Sequence, residues 1–249
     1  MIELKSAQEI ERMRKASTVV GGLLSHLKSV VHPGITTRQL DEASSVFLKK
    51  ANAKPAFLGY RGFPATICVS VNEEVVHGIP GSRRINEGDV VSIDAGAIVD
   101  GWYADAAITV AVGQVPKAVQ TLIDTTHQSL EAGIAQAVVG NRISDISHAV
   151  QTCIDKQGFG IVRDFVGHGI GRALHEDPPI PNFGVPHVGP RIKPGMVLAI
   201  EPMVTLGGYE VEILPDGWTA VTKDRSLAAH FEHTIAVTEQ GAQVLTRFE

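Results

Sequence analysis

The chain repeats itself. Residues 85–94 read Ile-Asn-Glu-Gly-Asp-Val-Val-Ser-Ile-Asp and residues 192–201 read Ile-Lys-Pro-Gly-Met-Val-Leu-Ala-Ile-Glu, so both follow Ile-x-x-Gly-x-Val-x-x-Ile-acid. Asp105-x-x-Ile108-x-Val110 likewise matches Glu232-x-x-Ile235-x-Val237, and Gly34…Leu40…Ala43 matches Gly140…Ile146…Ala149. Three correspondences in one order imply two related halves, about 1–114 and 115–249, within a single domain of 249 residues. Two copies make a pseudo-two-fold domain; a solenoid needs more.

Periodicity gives each half the same element order. Ser6 and Glu9 read as a capping box ahead of Ile10, Met13, Val20, Leu23, Leu24 and Leu27 at helical spacing, with a stop at His32-Pro33-Gly34. A second helix starts near Thr36 or Thr37. Strands follow over 65–71 and 89–94, and a hairpin turns at Asp100-Gly101 into 102–112. The second half opens with Pro116 in the first turn of a long helix reaching Val138, then a helix near 144–157. Its strands are expected over 161–166, 196–201, 211–214 and 230–237.

Each half thus carries one acid at the end of an apolar strand, Asp94 and Glu201, and another in a following strand, Asp105 and Glu232. A lone Asp at a strand end ordinarily sits in a solvated turn. Equivalent placement in both copies weakens that reading, because a pseudo-two-fold axis would bring all four acids together. Burying even one unpaired carboxylate costs several kcal/mol. No Lys or Arg lies in 90–94, 102–112 or 196–201 to compensate. Two divalent cations would.

His168, in Gly167-His168-Gly169-Ile170-Gly171 after an apolar segment, offers a nitrogen ligand, with glycines that admit backbone or substrate closely. Oxygen donors with one imidazole suit Mn, Fe, Co or Zn. Two such ions roughly 3.5–4 Å apart can activate water and polarise a carbonyl. His77 and His175 are candidate second actors that bind substrate or stabilise an oxyanion; the competing reading is an exposed loop histidine. His26, His127, His148, His187 and His230 suggest no partner, and His233 should point away from Glu232 across an extended strand.

A net charge of −5 without long basic or acidic runs excludes nucleic acid or an anionic membrane as the principal ligand. No stretch approaches the roughly 20 apolar residues of a membrane span. The N-terminus lacks the pattern of a signal peptide, so a cytoplasmic home is expected. Cys68 and Cys153 then read as two buried free thiols, and without a CxxC pair a thiolate zinc site is out.

The motifs Asn72-Glu73-Glu74-Val75-Val76-His77-Gly78-Ile79-Pro80, Ile93-Asp94-Ala95-Gly96, Gly167-His168-Gly169-Ile170-Gly171, Ala199-Ile200-Glu201-Pro202 and Glu232-His233-Thr234 span nearly the whole chain. In this order they closely resemble the bacterial type I methionine aminopeptidases. The resemblance implies an α+β pita-bread (creatinase/aminopeptidase-like) fold, two pseudo-symmetric halves with a curved antiparallel sheet backed by helices. It implies a two-metal hydrolase that frees N-terminal methionine from nascent polypeptides with a small second residue. It assigns Asp94, Asp105, His168, Glu201 and Glu232 as ligands, Asp105 and Glu232 bridging, and makes Glu201 the proton shuttle of the water held between the metals. His175 would stabilise the tetrahedral centre and His77 would contact the scissile amide or leaving group.

By the same likeness Tyr60, Phe63, Cys68, Leu174 and Trp218 line the methionine pocket, though without it they read as core. Leu174 departs from the aromatic often found there, and Phe57 from a cysteine found in some relatives. A monovalent cation near Asn72 and residues 226–229, a monomeric state and transient ribosome association are further implications. Three other readings stay open. One is an Xaa-Pro aminopeptidase or dipeptidase of the same fold, although these usually carry an extra N-terminal domain. The others are a non-catalytic pita-bread binding module and, more weakly, a dinuclear phosphoesterase, for which a phosphate loop is missing.

Overall fold

The computed structural model describes residues 1–247. Helix α1 (Ala7–Val30) starts at the expected capping box, where Ser6 Oγ accepts from Glu9 N–H and the Glu9 carboxylate accepts from Ser6 N–H. Helix α2 (Thr37–Lys50) has a second box made by Thr36 and Gln39. Helices α3 (Lys117–Ala135) and α4 (Ile143–Asp155) hold the equivalent places in the second half.

The main sheet has nine strands: β1 Lys54–Pro55, β2 Ile67–Val71, β3 Val90–Val99, β4 Trp102–Ala111, β5 Gly167–Gly169, β6 Glu176–Ile180, β7 Val197–Ile200, β8 Glu232–Thr238 and β9 Gly241–Val244. Its path is β1-β3-β4-β8-β7-β5-β6, with β2 on β3 and β9 on β8, and every pairing is antiparallel. The central order β3-β4-β8-β7 reads the same in both directions through the duplication: equivalent strands β4 and β8 meet at the middle, flanked by equivalents β3 and β7. The hairpin turns at Asp100-Gly101, both with positive φ.

One face of this sheet is apolar. Ile93, Ala95, Ala104, Ala106 and Ile108 pack against Val20, Leu23, Leu24 and Leu27 of α1. Leu198, Ile200, Ile235 and Val237 pack against Leu130 and Ile134 of α3. Each such Leu contributes about 1.5–3 kcal/mol by leaving water. The helices therefore cover this face and leave the other to residues of opposite parity.

Several boundaries differ from expectation. β3 continues to Val99, so Asp94 sits in mid-strand, because β4 pairs with it along its whole length. The segment 161–166 is not a strand: pairing stops after Ile161, and Arg163 turns its guanidinium onto Tyr209 and Phe183. Consequently His168 lies inside β5, paired with Ala199, and not after a preceding strand. The expected strand 230–237 breaks at Phe231, where the chain changes sheets; Ala228–His230 pairs with Met203–Thr205, and Glu232 begins β8. α3 ends before Val138, since Asn141 Nδ2 donates to the Gln136 carbonyl as the chain turns towards α4. Pro116 caps that helix from just outside it. Both cysteines are free, but only Cys68 is buried; Cys153, on α4, is half-exposed.

Candidate metal centre

Register brings the acids together. Asp94 and Glu232 each lie opposite Ala107, on either side of it, so all three point the same way. Asp105 is two residues from Ala107 and shares its face. His168 and Thr234 both lie opposite Ala199, two residues before Glu201. Five donors, four from β3, β4, β5 and β8 and Glu201 from just past the end of β7, therefore occupy the face away from the helices. Alanine at 107 and 199 leaves the space between them open. Asp105, His168 and Glu232 are buried, and one ligand atom of each lies within 4.8 Å of the others. Glu201 Oε1 approaches His168 Nε2 at 3.5 Å. Asp94 joins through its contact with Asp105.

The donor set fits a divalent metal. Asp94 Oδ1, Asp105 Oδ1 and Glu232 Oε1 are buried without a hydrogen-bond partner, and buried polar atoms are rarely left so. Burial pushes the Asp94 carboxyl up to about 7. Burial first, then the Glu232 and Asp94 charges, raise Asp105 well above the usual carboxylate range. Glu201 and Glu232 are raised for the same two reasons. Imidazole 168 is set up as a neutral ligand: its Nδ1 is 2.9 Å from the Gly169 carbonyl, leaving Nε2 to the carboxylates. Burial depresses its pKa to about 3.

A cavity of about 420 Å³ opens over these donors. Phe63, Cys68, Leu174 and Trp218 line it, as do Tyr60, His77 and His175. Phe63 and Trp218 meet edge to face at 5.1 Å, and His77 stands edge-on to Phe165 at 5.2 Å. Cys68 lies opposite Asp94 across the β2–β3 pairing, so it belongs to the cavity floor and not to the core behind the sheet. The His175 ring lies 4.2 Å from that of His168, and its Nδ1 is 2.8 Å from Tyr60 Oη. Burial lowers the pKa of His77 to about 4 and also lowers that of His175.

The surroundings of His230 and of the glycines beside His168 complete the site. His230, given no role in the sequence, lies in the site: its buried Nε2, without a hydrogen-bond partner, is 3.7 Å from Glu201 Oε2 and the residue lines the cavity. No sequence signal placed it there, because the chain changes sheets at Phe231 and alternation from Glu232 does not carry across. The glycines beside His168 admit neighbouring backbone closely, as expected: a Cβ at Gly167 would stand 2.4 Å from the Ala199 carbonyl oxygen and one at Gly169 would stand 2.1 Å from that of Asp177. Gly78 similarly meets the Val69 carbonyl. Arg61 and Asp164 at the cavity wall had no sequence signal. His233 faces the opposite side as expected, with Nδ1 3.0 Å from Thr246 Oγ1.

The profile described as metallopeptidase family M24 matches residues 11–239. A methionine aminopeptidase of Clostridium acetobutylicum is 50% identical over 250 residues, covering 100% of both chains. The crystal structure of methionine aminopeptidase from Thermotoga maritima superposes with a TM-score of 0.98 at 47% identity, over 99% of this chain and 100% of that one. Prolidase from Pyrococcus furiosus superposes with a TM-score of 0.81 at 23% identity, over 99% of this chain and 66% of that one, a likeness of fold alone. The fold is the pita-bread fold.

Proposed function

This chain belongs to metallopeptidase family M24, and on that premise we propose that it removes the N-terminal methionine of nascent polypeptides with a small second residue. The observation that carries the metal-dependent chemistry is the set of buried, unpartnered carboxylate oxygens of Asp94, Asp105 and Glu232 in an otherwise apolar setting. Asp94, Asp105, His168, Glu201 and Glu232 would hold two divalent ions of the Co, Mn, Fe or Zn kind. Such ions acidify water and polarise a carbonyl oxygen when bound.

The protein's own groups do the rest. Glu201 takes the proton of the attacking water and passes it to the leaving amine; its carboxylate lies between His168 and His230, 14% exposed, so it is held in place yet reachable. His175 donates a hydrogen bond to the oxygen that gains charge in the tetrahedral state. His77 meets the scissile amide or leaving group from beside Phe165. Phe63, Cys68, Leu174 and Trp218, with the Tyr60 ring, take the unbranched thioether, and Cys68 sulfur adds a polarisable wall.

Residues 1–249 act as one catalytic unit, because the donors come from both halves of one sheet. Ala228 N–H donates to the Asn72 carbonyl, which joins the two segments assigned to a monovalent cation. The working form is a cytoplasmic monomer in transient contact with the ribosome; among the described residues no helix is long and apolar enough to cross a membrane. The test is turnover across a metal panel of Met-Ala-Ser against an Ala-Pro peptide. Cleavage of the first alone is expected, and the reverse preference would overturn the assignment.

A further inference from the structure

The Tyr60 hydroxyl is not spent on the methionine pocket. It lies 2.8 Å from His175 Nδ1, while the two rings stack at 5.3 Å and 29°. Phenol and neutral imidazole can each donate or accept. The two arrangements leave His175 with different chemistry at its other nitrogen, the one not tied to Tyr60. If the phenol donates, Nδ1 is the acceptor and Nε2 carries the proton. If the imidazole donates from Nδ1, Nε2 is a lone pair, able to bind metal but not to hydrogen-bond an oxyanion. Phenol, with a pKa near 10, is a far stronger acid than neutral imidazole, and the imidazole nitrogen is a better base than a phenol oxygen. The first arrangement is therefore favoured.

The loop that bears His175 is braced separately. Glu176 Oε1 accepts from the N–H groups of Arg172 and Ala173, and Glu176 Oε2 pairs with Lys5 Nζ, an ion pair 12% and 5% exposed. Backbone position is thus set by Glu176 and Lys5. Ring rotation and tautomer are left to Tyr60.

We propose that Tyr60 is a positioning residue for the reaction: its hydroxyl donates to His175 Nδ1 and so holds His175 as the Nε2–H tautomer beside His168. This rests on the oxyanion role given to His175 above, and it moves Tyr60 from a pocket wall to a group acting through another.

Two measurements on Tyr60→Phe test it, a change that keeps the ring stacked and removes only the hydroxyl. The first needs no metal and no turnover. In ¹⁵N-histidine-labelled, metal-free protein, the His175 ring signals, assigned by their loss in His175→Gln, should show Nε2–H in the parent and a tautomer mixture in Tyr60→Phe. The second uses the metal-loaded enzyme on Met-Ala-Ser. Losing one hydrogen bond to the acting group should lower kcat about tenfold with KM within about twofold. The same change made in His175→Gln should lower kcat no further.

Unchanged ring signals would overturn the proposal. So would a rise in KM at constant kcat, which marks a pocket wall, or an undiminished tenfold loss in the His175→Gln background. A parent enzyme that ignores Met-Ala-Ser would sink the aminopeptidase reading instead, while the ring signals would still decide the Tyr60 contact.

Discussion

Replacing Asp94 by Asn should stabilise the metal-free protein while abolishing its response to metal. Burial raises the Asp94 pKa from its ordinary value of 3.8 to about 7 in the fold. A group whose pKa is higher folded than unfolded binds its proton more tightly when folded. Stability from that proton is fully present below pH 4 and is lost as pH climbs through 7. At about 1.4 kcal/mol per unit, the rise from 3.8 to about 7 amounts to about 4 kcal/mol at pH 8 and about half of that near pH 5.5. Asn keeps the shape and removes the charge, so in chelator the variant should gain stability of that order at pH 8 and roughly half of it at pH 5.5.

Urea melts at both pH values, with chelator and then with divalent metal, read the effect directly. The parent should be stabilised by metal, more strongly at pH 8, where the competing proton is gone. Asp94→Asn should gain little. The reasoning fails if the variant in chelator is no more stable than the parent at pH 8, or if its advantage does not grow with pH. Either result would mean that carboxylate burial is compensated by something other than metal.

Three further outcomes are expected. Glu201→Gln should retain bound metal by elemental analysis yet lose turnover of Met-Ala-Ser by about 10²–10⁴-fold with KM little changed, because proton transfer belongs to the transition state; an equal loss traced to missing metal would make its role structural. Gly169→Ala should be destabilised by several kcal/mol in thermal or urea melts, since the added Cβ would stand 2.1 Å from the Asp177 carbonyl oxygen; a melt matching the parent would show that β6 yields freely. Cys68, its thiol pushed up by burial and then by the Asp94, Asp105 and Glu232 charges, should resist alkylation at pH 8 in the folded protein and react on unfolding; rapid labelling of Cys68 in the native state would contradict that environment.

Duplication and chemistry carried much of the site. Two copies of Ile-x-x-Gly-x-Val-x-x-Ile-acid, with no Lys or Arg in 90–94, 102–112 or 196–201, were enough to argue that four acids converge and need metal. That inference needs only charge and symmetry, which are properties of residue order. The capping boxes and the Asp100-Gly101 turn were legible for a like reason, since each depends on a few neighbouring residues. His230 and the Tyr60 hydroxyl were not legible.

Local patterning decided which segments became helix or strand, how the halves correspond and which acids pair. Tertiary structure alone decided that Asp94 and Glu232 flank Ala107, that β5 carries His168 within the sheet, and that Tyr60 reaches His175 across 115 residues of chain. Register between distant strands depends on how whole faces bury against the helices, and a side-chain hydrogen bond depends on that register in turn. Residue order determines the parts of this candidate metal centre; only packing determines their distances.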